Sequence, residues 1–239
     1  MLQIRDNAMS VAAEWERRTI RQLPFATARA LTDAAFAARN AVRGEIARVF
    51  DRPTPFTLNA FQVRPATKVN QTAAIETKEM LRGHYLSVQE RGGQRPKKRF
   101  EENIEGVHRG EFSLAAVVPS AAARRDAWGN WSRGELNVIL SNLGAQRDSR
   151  ANTTAASAKR ARRKVSYFVP DPNSTLATHV YRRSEVAGNA TLAVVGLILQ
   201  SPPQYTARFN WREIAEKAAR EAYPQAFGRR LRAALETAR

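Results

Sequence analysis

Three histidines, His84, His108 and His179, are the imidazoles available for metal or acid–base chemistry in this chain. They are isolated, and none is expected to have a partner at i+3 or i+4, whereas a metal site needs several ligands converging on one point. The chain has no cysteine. That excludes disulfides, thiolate metal sites and cysteine nucleophiles. Neither a G-x-S-x-G elbow nor a G-x-x-x-x-G-K-[ST] loop occurs, and Gly92-Gly93 runs into Gln94-Arg95-Pro96, not into a helix start. Glu101 and Glu102 are the one adjacent acidic pair worth weighing for acid–base work. They read instead as a solvated acidic patch that balances Lys97 to Arg99, because catalysis needs a shielded pair with separated pKa values. A nuclease would need a carboxylate cluster for Mg²⁺, and no D-x-D grouping occurs. The chain is therefore read as a non-enzyme with no cofactor and no metal.

The stronger signal is cationic. Lys and Arg total 39 against 22 Asp and Glu, for a net charge of +17 and a pI near 11.2. Such a charge repels itself in a compact state and calls for counter-charge from a polyanion or an acidic protein surface. Three clusters carry much of it. Lys159, Arg160, Arg162, Arg163 and Lys164 form the densest; Arg91, Arg95, Lys97, Lys98 and Arg99 form a second; Arg229, Arg230 and Arg232 form a third. Clusters of this kind neutralise phosphates and release counterions. They also match acidic protein neighbours, and charge alone does not separate the two. Trp128 and Trp131 have the type to stack on bases. Their spacing favours core or interface anchors.

Stepping along the chain, Ala12, Trp15, Thr19 and Ile20 sit at helical spacing until Leu23-Pro24, where a break is expected. From Pro24 to Phe50 an apolar stripe (Leu31, Ala35, Ala38, Val42, Ile46, Val49) makes one helical face. Pro53 and Pro55 stop it, and Thr54 is placed to cap a short turn. Short strands are expected over 61–68 and 72–77, with Tyr85 and Val88 in a further edge segment. Residues 91–99 read as a basic loop and 112–118 as a strand closed by Pro119. Ser132 and Glu135 have capping-box spacing ahead of a short helix ended by Gly144. Residues 146–164 lack large apolar side chains and read as an extended basic arm. Three more strands are expected over 165–169, 179–182 and 192–200, the last central and most buried. Asn210 should cap a closing helix that Pro224 interrupts. The longest apolar run, Leu192 to Leu199, is too short to span a bilayer, and the N-terminus lacks a signal-peptide apolar region. The chain is expected to be made in a cytoplasm and to stay soluble. Helices, short strands and a helical tail in that order give α+β. The expected organisation is one domain over 1–239, with an insertion-rich middle over 91–164 that includes the basic arm 146–164.

The two ends carry a resemblance. Leu23-Pro24-Phe25-Ala26-Thr27, the alanine-rich helix, Asp51-Arg52-Pro53-Thr54-Pro55-Phe56-Thr57-Leu58-Asn59 and Arg64-Pro65-Ala66-Thr67-Lys68 form the first half. Arg208-Phe209-Asn210-Trp211, Ile214-Ala215-Glu216, Tyr223-Pro224, Phe227 and Leu231-Arg232 form the second. Together with Asp126-Ala127-Trp128-Gly129-Asn130 and Ser132-Arg133-Gly134, these resemble virion proteins of tailed bacteriophages of the minor tail protein Z-like, tail-completion kind. The resemblance implies a long N-terminal helix packed on a small antiparallel sheet, with C-terminal helices. It implies a ring at the head–tail junction that completes the proximal tail and contacts neck, portal-connector or tail-tube proteins. Genomic DNA in the channel is a further possible contact, and no membrane is involved. The location implied is the virion, after synthesis in the bacterial host. The family transfers no catalytic residue. A free nucleic-acid-binding packaging or regulatory protein is the alternative that the charge leaves open.

Overall fold

The structure, a computed structural model, describes residues 8–78, 86–108, 110–160, 165–186 and 189–237. In chain order the elements begin with α1 (Ala8–Val49), α2 (Pro55–Leu58), β1 (Phe61–Arg64), β2 (Ala74–Thr77) and α3 (Ser87–Arg91). They continue with β3 (Gly93–Gln94), α4 (Arg99–Val107), β4 (Ala116–Pro119), α5 (Arg133–Asn142), a 3-10 turn (Ser149–Ala151) and α6 (Ala155–Arg160). The last are β5 (Val165–Phe168), β6 (Val180–Val186), β7 (Asn189–Leu199), β8 (Gln204–Tyr205) and α7 (Trp211–Thr237). This is the expected α+β class, with a long N-terminal helix, small antiparallel sheets and a C-terminal helix. The contacts group the chain into two compact units, Met1–Glu90 with Ala207–Arg239, and Arg91–Thr206. One domain over 1–239, with an insertion-rich middle ending at 164, was expected. The second unit starts at the same residue, 91, but runs to 206, because β5, β6 and β7 supply three of the four strands of its sheet.

In the first unit, Ala26, Ala30, Ala34, Ala38, Val42 and Ile46 recur every four residues and are all buried. Four alanines in that row let α7 approach closely, and Val42 and Ile46 each contribute about 1.5–3 kcal/mol of burial. The two helices run in opposite directions. Phe50, at the end of α1, meets Phe209 edge-on at 5.6 Å, just before α7 begins, while Asp33 pairs with Arg230. β1 and β2 pair antiparallel from Phe61↔Thr77 to Arg64↔Ala74 and lie against α1. Phe61 fills the space between Phe209 and Trp211. Thr54 caps α2 as expected, accepting from Thr57 N–H at 3.2 Å. The strand expected over 61–68 stops at Arg64, ahead of Pro65, which has no N–H to offer a ladder. Val88 lies in α3 and not in an edge strand; Tyr85 falls outside the described residues. The break expected at Pro24 does not occur, and α1 runs through it. A proline there forfeits the hydrogen bond to the Ile20 carbonyl, at an exposed stretch where water can serve that oxygen. Likewise α7 is one run through Pro224, with the exposed Arg220 four residues before it.

In the second unit, β4, β7, β6 and β5 form an antiparallel sheet in that order, and β3 pairs with β8 in a separate ladder. Ile104 of α4 and Ile139 of α5 close on Leu114, Val180 and Val195, all fully or almost fully buried. β7 is interior, as expected. Its first four residues are exposed, however, because β4 covers only Gly196–Leu199. A glycine is required at 196: a Cβ there would come within 2.6 Å of Trp131 Cη2 and 3.2 Å of Val180 Cβ. α6 buries no residue, but residues 146–153 before it are not a free arm. Ser141 and Asn142 at the end of α5, with Asn152, bind them back: Thr153 N–H donates to Ser141 O at 2.8 Å, Ser141 Oγ donates to Ala151 O at 2.8 Å, and Gln146 N–H donates to Asn152 Oδ1 at 3.1 Å. Polar side chains do here what apolar packing does elsewhere. Residues 161–164 lie outside the described residues.

Candidate functional site

The basic residues singled out in the sequence meet different fates. Arg95 turns inward. Its guanidinium straddles Glu101 at 2.6 and 2.8 Å, and Glu101 is fully buried. The Glu101 carboxylate also accepts the Lys98 N–H at 2.6 Å and the Val117 N–H at 2.9 Å. Burial alone would raise its pKa; the Arg95 guanidinium and the two backbone N–H groups outweigh it and hold the carboxyl below its ordinary value. Glu101 is thus a post inside the fold and not part of a solvated patch. Arg95 is committed to it and is not available to a phosphate. Lys97 reaches Glu105 at 2.5 Å, while Lys98 and Arg99 are exposed at the start of α4. Lys159 and Arg160 are exposed on α6; Arg162, Arg163 and Lys164 fall outside the described residues. Arg230 binds Asp33 through two hydrogen bonds at 2.7 and 2.9 Å, with Arg229 and Arg232 exposed beside it. The hydrogen bond from Arg230 holds the Asp33 carboxyl below its usual value.

Glu135 is the second inward carboxylate. Ser132 Oγ accepts the Glu135 N–H at 3.1 Å, so half of the expected capping box forms. The other half does not, because the Glu135 side chain points into the core. There it accepts from Arg124 N–H at 2.6 Å, Trp131 Nε1 at 2.8 Å, Tyr167 Oη at 2.9 Å and Arg182 Nη1 at 3.2 Å. Burial again pushes its pKa up and is outweighed, chiefly by the Arg124 N–H and the Trp131 and Tyr167 donors, so the carboxyl is held low. Burial, reinforced by Glu135, raises the Tyr167 phenol, which stays a neutral donor. Trp131 is accordingly a core residue and not an interface anchor: 8% exposed, edge-on to Phe100 at 5.6 Å and seated over Gly196. Trp128 stands 41% exposed in the turn that Asp126 closes through the N–H groups of Trp128 and Asn130.

Both carboxylates have each oxygen engaged by donors. A carboxylate in that state offers no free acceptor for a substrate proton or a metal ion. His179 Nδ1 accepts from Ile198 N–H at 3.3 Å. His108 Nδ1 lies 2.7 Å from Glu111, an i+3 partner where none was expected, while its Nε2 is buried without a hydrogen-bond partner. His84 falls outside the described residues. Among the described residues, no group of three or more His, Cys, Asp or Glu is placed to hold a metal ion, and no helix is long and apolar enough to cross a membrane.

What the first unit does present is apolar surface. Along α1 the first buried position is Ala26; Gln22, Leu23 and Pro24 before it are half-buried, Phe25 lies under the Lys68 ammonium, and none of the described residues from Met9 to Arg21 is buried. Val11, Trp15 and Ile20 are more than half exposed there, with Trp15 at 64%. With Ala12, Glu16 and Thr19 they make one apolar face. A separate groove of about 690 Å³ lies in the same unit, lined by Leu31 and Ala35 of α1, Ile75 of β2, and Ala215, Ala219 and Tyr223 of α7. Arg212, Glu216 and Arg220 border it. The alanines leave the floor low. The sequence carried a signal for this surface, the helical spacing of Ala12, Trp15 and Thr19, but the spacing alone did not say that the stripe would lie uncovered.

The chain matches no known family model, no curated protein and no solved structure.

Proposed function

We propose that the chain is a structural protein of a tailed-bacteriophage virion, a tail-completion or neck component that joins the tail to the DNA-filled head as one subunit of a ring. The observation that carries this reading is the first stretch of α1, over 9–21, in which no described residue is buried and Trp15, Val11 and Ile20 are exposed. Most helical stability in proteins comes from packing of an apolar face. An exposed apolar face of this kind marks an interaction surface. The net charge of +17 supports the same reading: multiplied around a ring it makes a positive collar facing DNA or acidic portal and tube surfaces. The residue resemblance at both ends of the chain supplies the particular assembly. The parts implied are a homo-oligomeric ring, other neck, portal-connector or tail-tube proteins, and the virion as location.

The alternative, a free nucleic-acid-binding packaging or regulatory protein, rests on charge. Arg95, Lys97 and Arg230, one or two from each of two clusters, are held in intramolecular ion pairs and are subtracted from that footprint. Lys159, Arg160, Lys98 and Arg99 remain exposed for it. Mass spectrometry of purified virions tests the first reading. It expects this polypeptide in intact particles at a fixed copy number that survives high-salt washing; its absence from the particles would sink the proposal. A mobility-shift titration at two salt concentrations tests the second, which requires tight duplex binding that weakens steeply with salt.

A further inference from the structure

A second hollow in the first unit, of about 290 Å³, gathers positive charge. Arg39 and Arg43, one turn apart on α1, and Lys78, just after β2, all line it. Two contacts bring them together. β1 and β2 lie against α1. The Lys78 N–H donates to Ala60 O at 3.0 Å, which carries the strand pairing one step past Phe61↔Thr77. Phe36, Leu58 and Phe61 supply the apolar part of the wall. The Arg39 guanidinium is stacked over the Phe36 ring at 5.0 Å and donates to the neutral Asn40 amide oxygen at 3.3 Å. The two amides in the wall are already engaged, Asn59 Nδ2 with Pro55 O and Gln62 Nε2 with the Glu76 carboxylate across the ladder. Among the described residues none of the three cations is in an ion pair, whereas Arg48 and Arg52, close by along the chain, pair with Glu45 and Asp51.

Three cations around one small hollow exceed what a carboxylate needs, since a single guanidinium fork meets both of its oxygens. A phosphate monoester matches the set: it carries a charge of about −1.5 to −2 and three strong acceptor oxygens. The two planar forks and the ammonium can each take one oxygen. The hollow is near the lower limit of about 300 Å³ for small-molecule sites, and its apolar wall stands beside the charges. We infer that this hollow between α1 and the β1–β2 ladder binds the phosphate group of a nucleotide, with Arg39, Arg43 and Lys78 on its oxygens and the nucleoside against Phe36 and Leu58. A free nucleotide and one nucleotide of a nucleic-acid strand present the same chemistry. None of the three cations belongs to the basic clusters at 91–99, 159–164 and 229–232, and the inference does not rest on the virion reading above.

Two probes test this on the full-length chain at physiological salt: AMP in equilibrium dialysis, and a labelled single-stranded oligonucleotide in an anisotropy titration. Two double variants are compared with the native chain. Arg43→Gln with Lys78→Gln strips the hollow; Lys159→Gln with Arg160→Gln removes the same charge from α6. All four side chains are exposed, so both variants should keep the circular dichroism of the fold. The native chain is expected to bind at least one probe. The first variant should weaken that binding by about tenfold or more, and the second should leave it nearly unchanged. AMP held through the hollow assigns a free nucleotide, and the oligonucleotide held there alone assigns a strand; either keeps the inference. Refusal of both probes overturns it, as does equal weakening by the two variants. Polyglutamate held through the hollow while both phosphate probes are refused also overturns it, and makes the hollow a seat for an acidic protein. A chain that binds nucleotide here but is absent from virions keeps this inference and loses the virion reading. A virion component whose hollow ignores phosphate does the reverse.

Discussion

Glu135 takes donors from residues 11, 32 and 47 positions away, and Glu101 takes one from a residue 16 positions away. Removing one partner of a buried, hydrogen-bonded charge pair leaves the other charge uncompensated, at a cost of about 3–5 kcal/mol. Glu101→Gln and Glu135→Gln are therefore each expected to lower the stability of the second unit by that order, read by urea denaturation at pH 7. Both carboxyls are held below the ordinary glutamate value of 4.5 in the fold. Their contribution is therefore complete above that value and is lost as pH falls through the lowered values. Acid unfolding of the native chain should steepen below pH 4.5, and Glu101→Gln should make it shallower; an equally steep curve in the variant would contradict the role given to Glu101. The sequence disclosed the capping position of Glu135 through Ser132 three residues before it. It did not disclose that the side chain turns inward, because the donors that draw it there are distant along the chain. Glu101 reads from its neighbours as part of a solvated patch, and the spacing of Trp131 leaves core and interface open, for the same reason: local spacing places a residue on a helix or turn, while burial is set by what arrives from elsewhere.

Elements were more legible than residues. The stripe Leu31, Ala35, Ala38, Val42, Ile46 and Val49 marked a face of α1 of which the middle four are buried, and β-branched runs bounded by Pro and Gly marked β1, β2, β5, β6 and β7 close to where they lie. Two elements departed from expectation. Pro24 was expected to end a helix and does not: the hydrogen bond it forfeits, to the Ile20 carbonyl, lies on an exposed stretch where water can serve that oxygen. Pro24→Ala restores an N–H that can donate to the Ile20 carbonyl and is expected to slow amide exchange around residues 20–28 in a hydrogen-exchange experiment. Unchanged exchange there would argue against a continuous α1. The segment over 146–160 looked unable to pack because it lacks large apolar residues. Composition hid the alternative, a set of Ser, Thr and Asn side chains that satisfy the backbone without a core.

At the scale of the whole molecule, the chain leaves the first unit after Glu90 and returns at Ala207. The β3–β8 ladder joins the two ends of the second unit, and Gln89 O accepts from both Arg208 N–H and Phe209 N–H in the first. A unit with its own core and adjacent ends meets the conditions for folding alone. Residues 91–206, expressed by themselves, should unfold cooperatively with the native tyrosine and tryptophan signature; a fragment lacking a cooperative transition would show that the second unit depends on the first. The charge and the class were legible from composition and element order. The division into two units was half legible: the basic loop at 91 announced the start, but nothing local announced that the chain stays in the second unit through β7. On the function proposed above, the exposed apolar helix and the surplus of positive charge are matched by neighbours at the head–tail junction. A cryo-electron reconstruction of the neck of the virion tests this most directly. It should contain, in each repeat of a ring, a 42-residue helix packed against a 27-residue helix, with Trp15 buried against a neighbouring subunit. A neck fully accounted for by other polypeptides, with no density for this pair of helices, would contradict it.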